Sequence, residues 1–273
     1  MNKPEPSICV KADPTNPGQF LACCGLLELA DRLWEGAEGW FKDGIFQIAC
    51  GGTLEEALHG LVASDPEEVT KLDNDLEVKP LIAPLRLSFE GTRPFEFTLD
   101  AWMTIKVDKG EVMAAPNPPW NFWSGQQTSF RIWRDLRSAL RDQLKTTDPE
   151  QLEDFFSRRI PLSGRFGFDP GAAWNALDVG FSPNEQRMDV ASSAAVELLA
   201  AVGIQRFRPC MAEDRQSFTY ATWGQPLAPP IAAAVACMAV VIPPTTRFRG
   251  RVISRGSYAA LGHSIPIGGE DHE

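Results

Sequence analysis

Two apolar helical runs, each with a glycine set among small and branched residues, constrain this chain more than any other feature. From Gln19 to about Leu33, the residues Leu21, Leu26, Leu29 and Leu33 fall at helical spacing, and Ser193 to Ile204 reads as a second helix. The strings Ala22-Cys23-Cys24-Gly25-Leu26-Leu27-Glu28-Leu29 and Leu199-Ala200-Ala201-Val202-Gly203-Ile204-Gln205-Arg206 look alike. A glycine in that setting permits close packing, so the likeness fits either ordinary core packing or a weak internal duplication. With 273 residues, 44% of them hydrophobic, the chain can bury one large core or two modest lobes.

Strand signals surround these helices. Ser7 to Lys11, Ile45 to Cys50, Ser217 to Trp223 and Arg247 to Ser254 read as strands, and so does Gly164 to Phe168. Leu85, Leu87 and Phe89 alternate on one side of Glu90-Gly91-Thr92-Arg93-Pro94, and Phe95, Phe97 and Leu99 on the other, as in a half-buried hairpin. Thr53-Leu54-Glu55-Glu56 opens a helix through about Val62 with a capping box. The acidic stretch Asp65 to Glu77 reads as a solvated loop or short helix, Thr128 to Lys145 as an amphipathic helix, and Pro149 to Phe156 as a shorter one. The expected class is α+β: mixed or antiparallel sheets with packed helices, and room for ferredoxin-like elements. Pro116 to Pro119 marks the expected boundary between an acidic lobe, 1–119, and a second lobe, 120–273.

Several classes of function recede on composition. Met1-Asn2-Lys3-Pro4-Glu5-Pro6 lacks the basic and apolar regions of a secretory signal, so the whole chain is expected to stay in the cytoplasm. The uncharged run Ile231 to Ile242 is well short of the roughly 20 residues that span a bilayer and reads as a buried helix, with no membrane partner. Cys9, Cys23, Cys24, Cys50, Cys210 and Cys237 form no C-x-x-C pair, and His59, His263 and His272 no metal-binding spacing. No metal and no cofactor are expected. The survey also supplies no nucleophile with its base, which leaves carboxylates as the only catalytic candidates. Asp169, Asp178, Glu185 and Asp189 could serve a metal-dependent nuclease, but Asp169-Pro170-Gly171 and Ser182-Pro183-Asn184-Glu185 are turn chemistry.

The formal charge of -10 is unevenly spread: residues 1–120 hold 10 Lys/Arg against 20 Asp/Glu, and residues 121–273 hold 16 of each. Between Arg215 and Gly269 there are five arginines and no acid, so one stretch is basic in an acidic protein. There Arg247, Arg249, Arg251 and Arg255 recur on one face of a strand, about 6.6 Å apart or a multiple of it, a comb suited to a phosphate backbone. The bland reading is an edge strand protected by charge. On the helix after Thr128, Arg131, Arg134, Arg137 and Arg141 share an edge beside Trp133, Leu136, Leu140 and Leu144. A solvated face with Asp135 and Asp142 as local ion-pair partners explains them equally well. Gly125, Gln126 and Gln127 precede that helix, where free N–H groups favour anions and glutamine can meet a base edge. Arg206 and Arg208 are further candidates.

Four blocks together resemble a known family. They are Asn16-Pro17-Gly18-Gln19-Phe20-Leu21-Ala22-Cys23-Cys24-Gly25-Leu26-Leu27-Glu28-Leu29-Ala30-Asp31, Trp123-Ser124-Gly125-Gln126-Gln127, Asn175-Ala176-Leu177-Asp178-Val179-Gly180-Phe181-Ser182-Pro183, and Glu197-Leu198-Leu199 through Gln205-Arg206-Phe207-Arg208-Pro209. They are similar to the third Csb protein of CRISPR–Cas type I-G systems, formerly type I-U. That resemblance implies a non-catalytic subunit of the complex that carries a CRISPR RNA and surveys target DNA, in the place of a large subunit, with the other effector subunits as partners. Pairing between RNA and DNA would supply specificity and a separate helicase-nuclease would cut. The acidic first 120 residues sit poorly with broad DNA contact and point that lobe toward protein neighbours or solvent. A scaffold without nucleic-acid contact is the competing class.

Overall fold

Asn16 starts the first helix by two local devices. Its side chain accepts the N–H groups of Gly18 and Gln19, and Pro17 supplies a helical φ at a position whose N–H would have no partner. A computed structural model describes residues 4–91, 93–116, 127–162, 164–170, 190–255 and 258–268. In it β1 (Ile8–Lys11) leads into α1 (Pro17–Trp34), followed by β2 (Glu38–Lys42), β3 (Ile45–Ala49) and α2 (Leu54–Ala63). The sheet order is β1-β3-β2 with both ladders antiparallel, so β1 and β2 run parallel on either side of β3. This is the split β-α-β of a ferredoxin-like fold. The capping box at α2 forms as expected, with Thr53 Oγ1 accepting from the Glu56 N–H and the Glu56 carboxylate accepting from the Thr53 N–H.

The ferredoxin-like order ends there. β4 (Asp65–Glu68) pairs with β5 (Leu85–Phe89) rather than returning to β1, and β6 (Phe95–Leu99) completes that sheet. A separate hairpin follows, β7 (Met103–Asp108) with β8 (Glu111–Pro116). Then come α3 (Ser129–Lys145), a 3-10 helix at Pro149–Ser157, and β9 (Ile160–Leu162) paired with β10 (Val190–Ser192). The last elements are α4 (Ala194–Gly203), β11 (Cys210–Met211), β12 (Ser217–Trp223), α5 (Pro229–Ala236), β13 (Thr245–Arg255) and β14 (Tyr258–Ile267). Strands β11-β12-β13-β14 form one antiparallel sheet in chain order. The protein is α+β, as its sequence pattern implies.

The glycine helices pack against each other at their glycines. A Cβ on Gly25 would lie 1.8 Å from the Leu199 carbonyl oxygen, and one on Gly203 would lie 2.1 Å from the Leu21 carbonyl oxygen. Each glycine thus meets the carbonyl four residues before the other, a reciprocal crossing about a local two-fold. Every residue of α4 is buried, as is every residue of α1 from Phe20 to Ala30, Glu28 included. Element order recurs as well, since β-α-β-β-α describes both 8–63 and 190–236. Strand pairing does not repeat, because β13 takes the place beside β12 that β1 takes beside β3. One hydrophobic core contains residues from both sides of the expected boundary at 119.

Three expectations are corrected. Asp65 begins a strand rather than a solvated loop, since pairing with β5 satisfies its backbone; only Asp73–Asp75 forms a short helix. Gly164 to Phe168 is not a strand: the N–H groups of Gly167, Phe168 and Asp169 instead point at the buried Glu197 carboxylate. Burial pushes that carboxyl above its usual range, against the pull of those N–H bonds. The run from Ile231 is helical only to Ala236, and Met238 beyond it adopts a φ of 60°, which ends the helix and leaves Val240 and Val241 exposed.

Replacing Gly25 by Ala forces backbone apart and is expected to cost at least about 3 kcal/mol in chemical denaturation. Gly60→Ala in α2 meets nothing nearer than 3.6 Å and should stabilise by about 0.5–1 kcal/mol. Equal, small effects at both positions would contradict the crossing described here.

Candidate nucleic-acid interface

Strand β13 presents its arginines because its other face is committed to the core. Phe248 stacks on Tyr220, which stacks on Phe20 of α1, and a Cβ on Gly250 would meet the Phe218 ring at 2.2 Å. Alternate residues of a strand point oppositely, so Arg247, Arg249 and Arg251 face outward, and all three are exposed. In register, Arg247 lies between Ala221 and Ile267, Arg249 between Thr219 and Ile265, and Arg251 beside Ser217. No ion pair engages any of the three among the described residues. β13 is an inner strand of its sheet, so the guarded-edge reading of the comb does not apply. The Arg255 side chain lies outside the described residues.

The other candidate arginines have different fates. Arg206 donates from Nε to Glu28 Oε2 at 2.6 Å and from Nη2 to Oε1 at 3.2 Å, and Glu28 also holds Arg32 at 2.7 Å. Glu28 and Arg206 stand three residues beyond Gly25 and Gly203, so the helix crossing brings them together. Its carboxylate raises the pKa of Arg206 further, and the group serves the fold. Arg137 is half-buried and donates to the Ser64 carbonyl; burial first, and Arg141 second, lower its pKa. Arg131 stands 3.8 Å from Asp135, the local pairing open to it from the sequence. Arg134, Arg141 and Arg208 are exposed with no ion pair among the described residues.

Helix α3 packs on α2, α4 and β4, whereas β13 belongs to the β11–β14 sheet, so the two arginine sets sit on differently packed elements. The Gln127 amide lies against Gly164, where a Cβ would come within 3.1 Å of it. Gly125 and Gln126 lie outside the described residues, as do Asp178, Glu185 and Asp189 of the acidic set. Asp169, the remaining member, is buried, accepts from Asn16 Nδ2 at 2.9 Å and pairs with Arg159 at 3.3 Å. Among the described residues no cluster of His, Cys, Asp and Glu could hold a metal, and no helix is long and apolar enough to cross a membrane.

Sequence reasoning found the comb and its partner on one side, Ser217 to Trp223, but not the strand on the other side. β14 carries Pro266 and a two-against-one irregularity in which Gly262 and His263 oppose Arg251, features that mask the period-2 alternation of His263, Ile265 and Ile267. Comparison with family models, with curated proteins and with solved structures finds no match.

The two kinds of arginine should separate on mutation. Arg206→Ala strips a buried carboxylate of a bidentate partner and is expected to cost about 2–3 kcal/mol of stability. Arg249→Ala should leave the unfolding free energy from chemical denaturation within about 0.5 kcal/mol of the parent.

Proposed function

We propose that this chain is a non-catalytic, cytoplasmic subunit of a type I CRISPR RNA-guided DNA surveillance complex, in contact with the backbone of target DNA or CRISPR RNA. The observation that carries the reading is the outward row of Arg247, Arg249 and Arg251, unpaired among the described residues and set on a sheet whose other face is core. Fixed guanidinium groups with no internal carboxylate keep their full attraction for phosphate, and their fork suits its oxygens. The resemblance of the Asn16–Asp31, Trp123–Gln127, Asn175–Pro183 and Glu197–Pro209 blocks to the third Csb protein of type I-G systems supplies the biological setting.

Partner subunits have a natural approach at the β7–β8 hairpin. Ile105, Val107, Val112 and Met113 are all exposed there, an apolar density that assembly would remove from water. That exposure also supports the scaffold reading, in which the chain touches only protein. The nuclease reading loses Asp169 as a metal ligand, because that carboxylate is enclosed and already engaged by Asn16 and Arg159.

Reconstitution with the effector subunits and CRISPR RNA of a type I-G system distinguishes these readings. The triple variant Arg247→Ala, Arg249→Ala, Arg251→Ala is expected to assemble normally but to bind target DNA or guide RNA more weakly. The slope of log affinity against log salt should fall by roughly 2–3. Unchanged binding and slope would leave the scaffold; magnesium- or manganese-dependent cleavage by the purified chain would restore the nuclease.

A further inference from the structure

We infer that the outer face of the β13–β14 ribbon takes an extended single strand of nucleic acid, with arginines on phosphates and apolar side chains against unpaired bases. The inference rests on the nucleic-acid reading above and adds the class of ligand. Its basis is the mixture of side chains that the register places side by side. Ile265 is directly opposite Arg249 and is 65% exposed; Ile253 is 38% exposed, and its Cδ1 lies 2.7 Å from where a Gly262 side chain would begin. His263, exposed, stands opposite Arg251.

A duplex offers a flat protein face little but sugar and phosphate, since its bases are stacked and paired inside. Reading those bases requires an element that enters a groove, and along Arg247–Arg251 β13 is paired on both sides, to β12 and to the edge strand β14, which makes a face broader than the helix or two-stranded ribbon that a major groove admits. Against a duplex, Ile265 and Ile253 would face charged backbone and remain unpaid for in desolvation. A single strand presents phosphates along one side and bare rings along the other, which matches a row of arginines flanked by aliphatic and imidazole groups. The hydroxyls of Ser217 and Thr219, on β12 beside Arg251 and Arg249, add donors for phosphate oxygens on the far flank. On the N-terminal side the nearest acids, Glu213 and Asp214, lie in the turn before β12 rather than on the strands, and Asp214 is engaged by the Gln216 N–H; on the C-terminal side Glu270 and Asp271 follow β14 and lie outside the described residues. The face itself is therefore cationic and apolar, complementary to a strand that is anionic and aromatic.

The test uses the full chain with fluorescent oligothymidylate, oligouridylate and a mixed-sequence duplex, each about 12 nucleotides or base pairs long. Both single strands are expected to bind at least about tenfold more tightly than the duplex at equal salt. Ile265→Asp, on an exposed position where folding is not at stake, should abolish most of that preference, and Arg249→Glu should weaken all three ligands. Either sugar binding in this way supports the inference, and the tighter of the two identifies guide RNA or displaced DNA as the occupant. A duplex bound as well as the single strands, with loss on Arg249→Glu, would overturn the single-strand inference while keeping the nucleic-acid reading. No binding of any oligonucleotide, or binding indifferent to Arg249→Glu, would overturn both.

Discussion

The reciprocal contact of Gly25 with the Leu199 carbonyl and of Gly203 with the Leu21 carbonyl fixes the geometry on which the rest depends. Backbone approach this close is open only to residues without a side chain, and it joins two helices whose apolar surfaces have no other way to leave water. Once α1 and α4 are locked, Glu28 and Arg206 are set across the crossing, and the far ends of both helices are tied through one short segment. Asn16 at the start of α1 holds Asp169, whose own N–H donates to Glu197 of α4 at 3.1 Å. The same α1 presents Phe20 to Tyr220, so the position of the C-terminal sheet follows from the helix pair.

Where a structural signal is local, it is legible in the chain. The Thr53–Glu56 box and the alternation from Leu85 to Leu99 are each decided within a few residues, and each forms as expected; α1, expected from Gln19, begins two residues earlier at Pro17. The misreadings arise where a distant partner overrides local preference. Acidic residues and a proline disfavour a strand at Asp65–Glu68, yet an available ladder on β5 outweighs that preference. Gly164 to Phe168 has the composition of a strand, but a carboxylate about 30 residues away takes its N–H groups and leaves it irregular.

The candidate site divides along the same line. Arg206 and Arg249 each stand next to a phenylalanine in a basic local sequence, and nothing within a few residues tells them apart. Their difference is made by residues far along the chain: a buried glutamate 178 residues from Arg206, against Thr219 and Ile265 for Arg249. Arg137, similarly, belongs by helical spacing to an arginine edge, and the nearness of Ser64 turns it into a cap for a buried carbonyl. Periodicity places an arginine on a face; only tertiary packing decides whether that face meets solvent.

How an acidic protein comes to carry a cationic face follows from its topology. In a sheet whose strands are joined in chain order, neighbours in space are drawn from neighbours in sequence, as β12, β13 and β14 are here. The absence of Asp and Glu between Arg215 and Gly269 therefore becomes an absence of carboxylates from the strands flanking the comb on both sides. Had the comb been inserted between strands from the first 120 residues, where acids outnumber bases 20 to 10, cross-strand pairing would have neutralised it. The charge segregation along the chain and the antiparallel order of the last strands thus act together: one keeps acids out of a stretch of sequence, and the other folds that stretch onto itself. A net charge of -10 would then repel a polyanion only at long range, where salt screens it within about 10 Å, while the face that carries the comb remains positive.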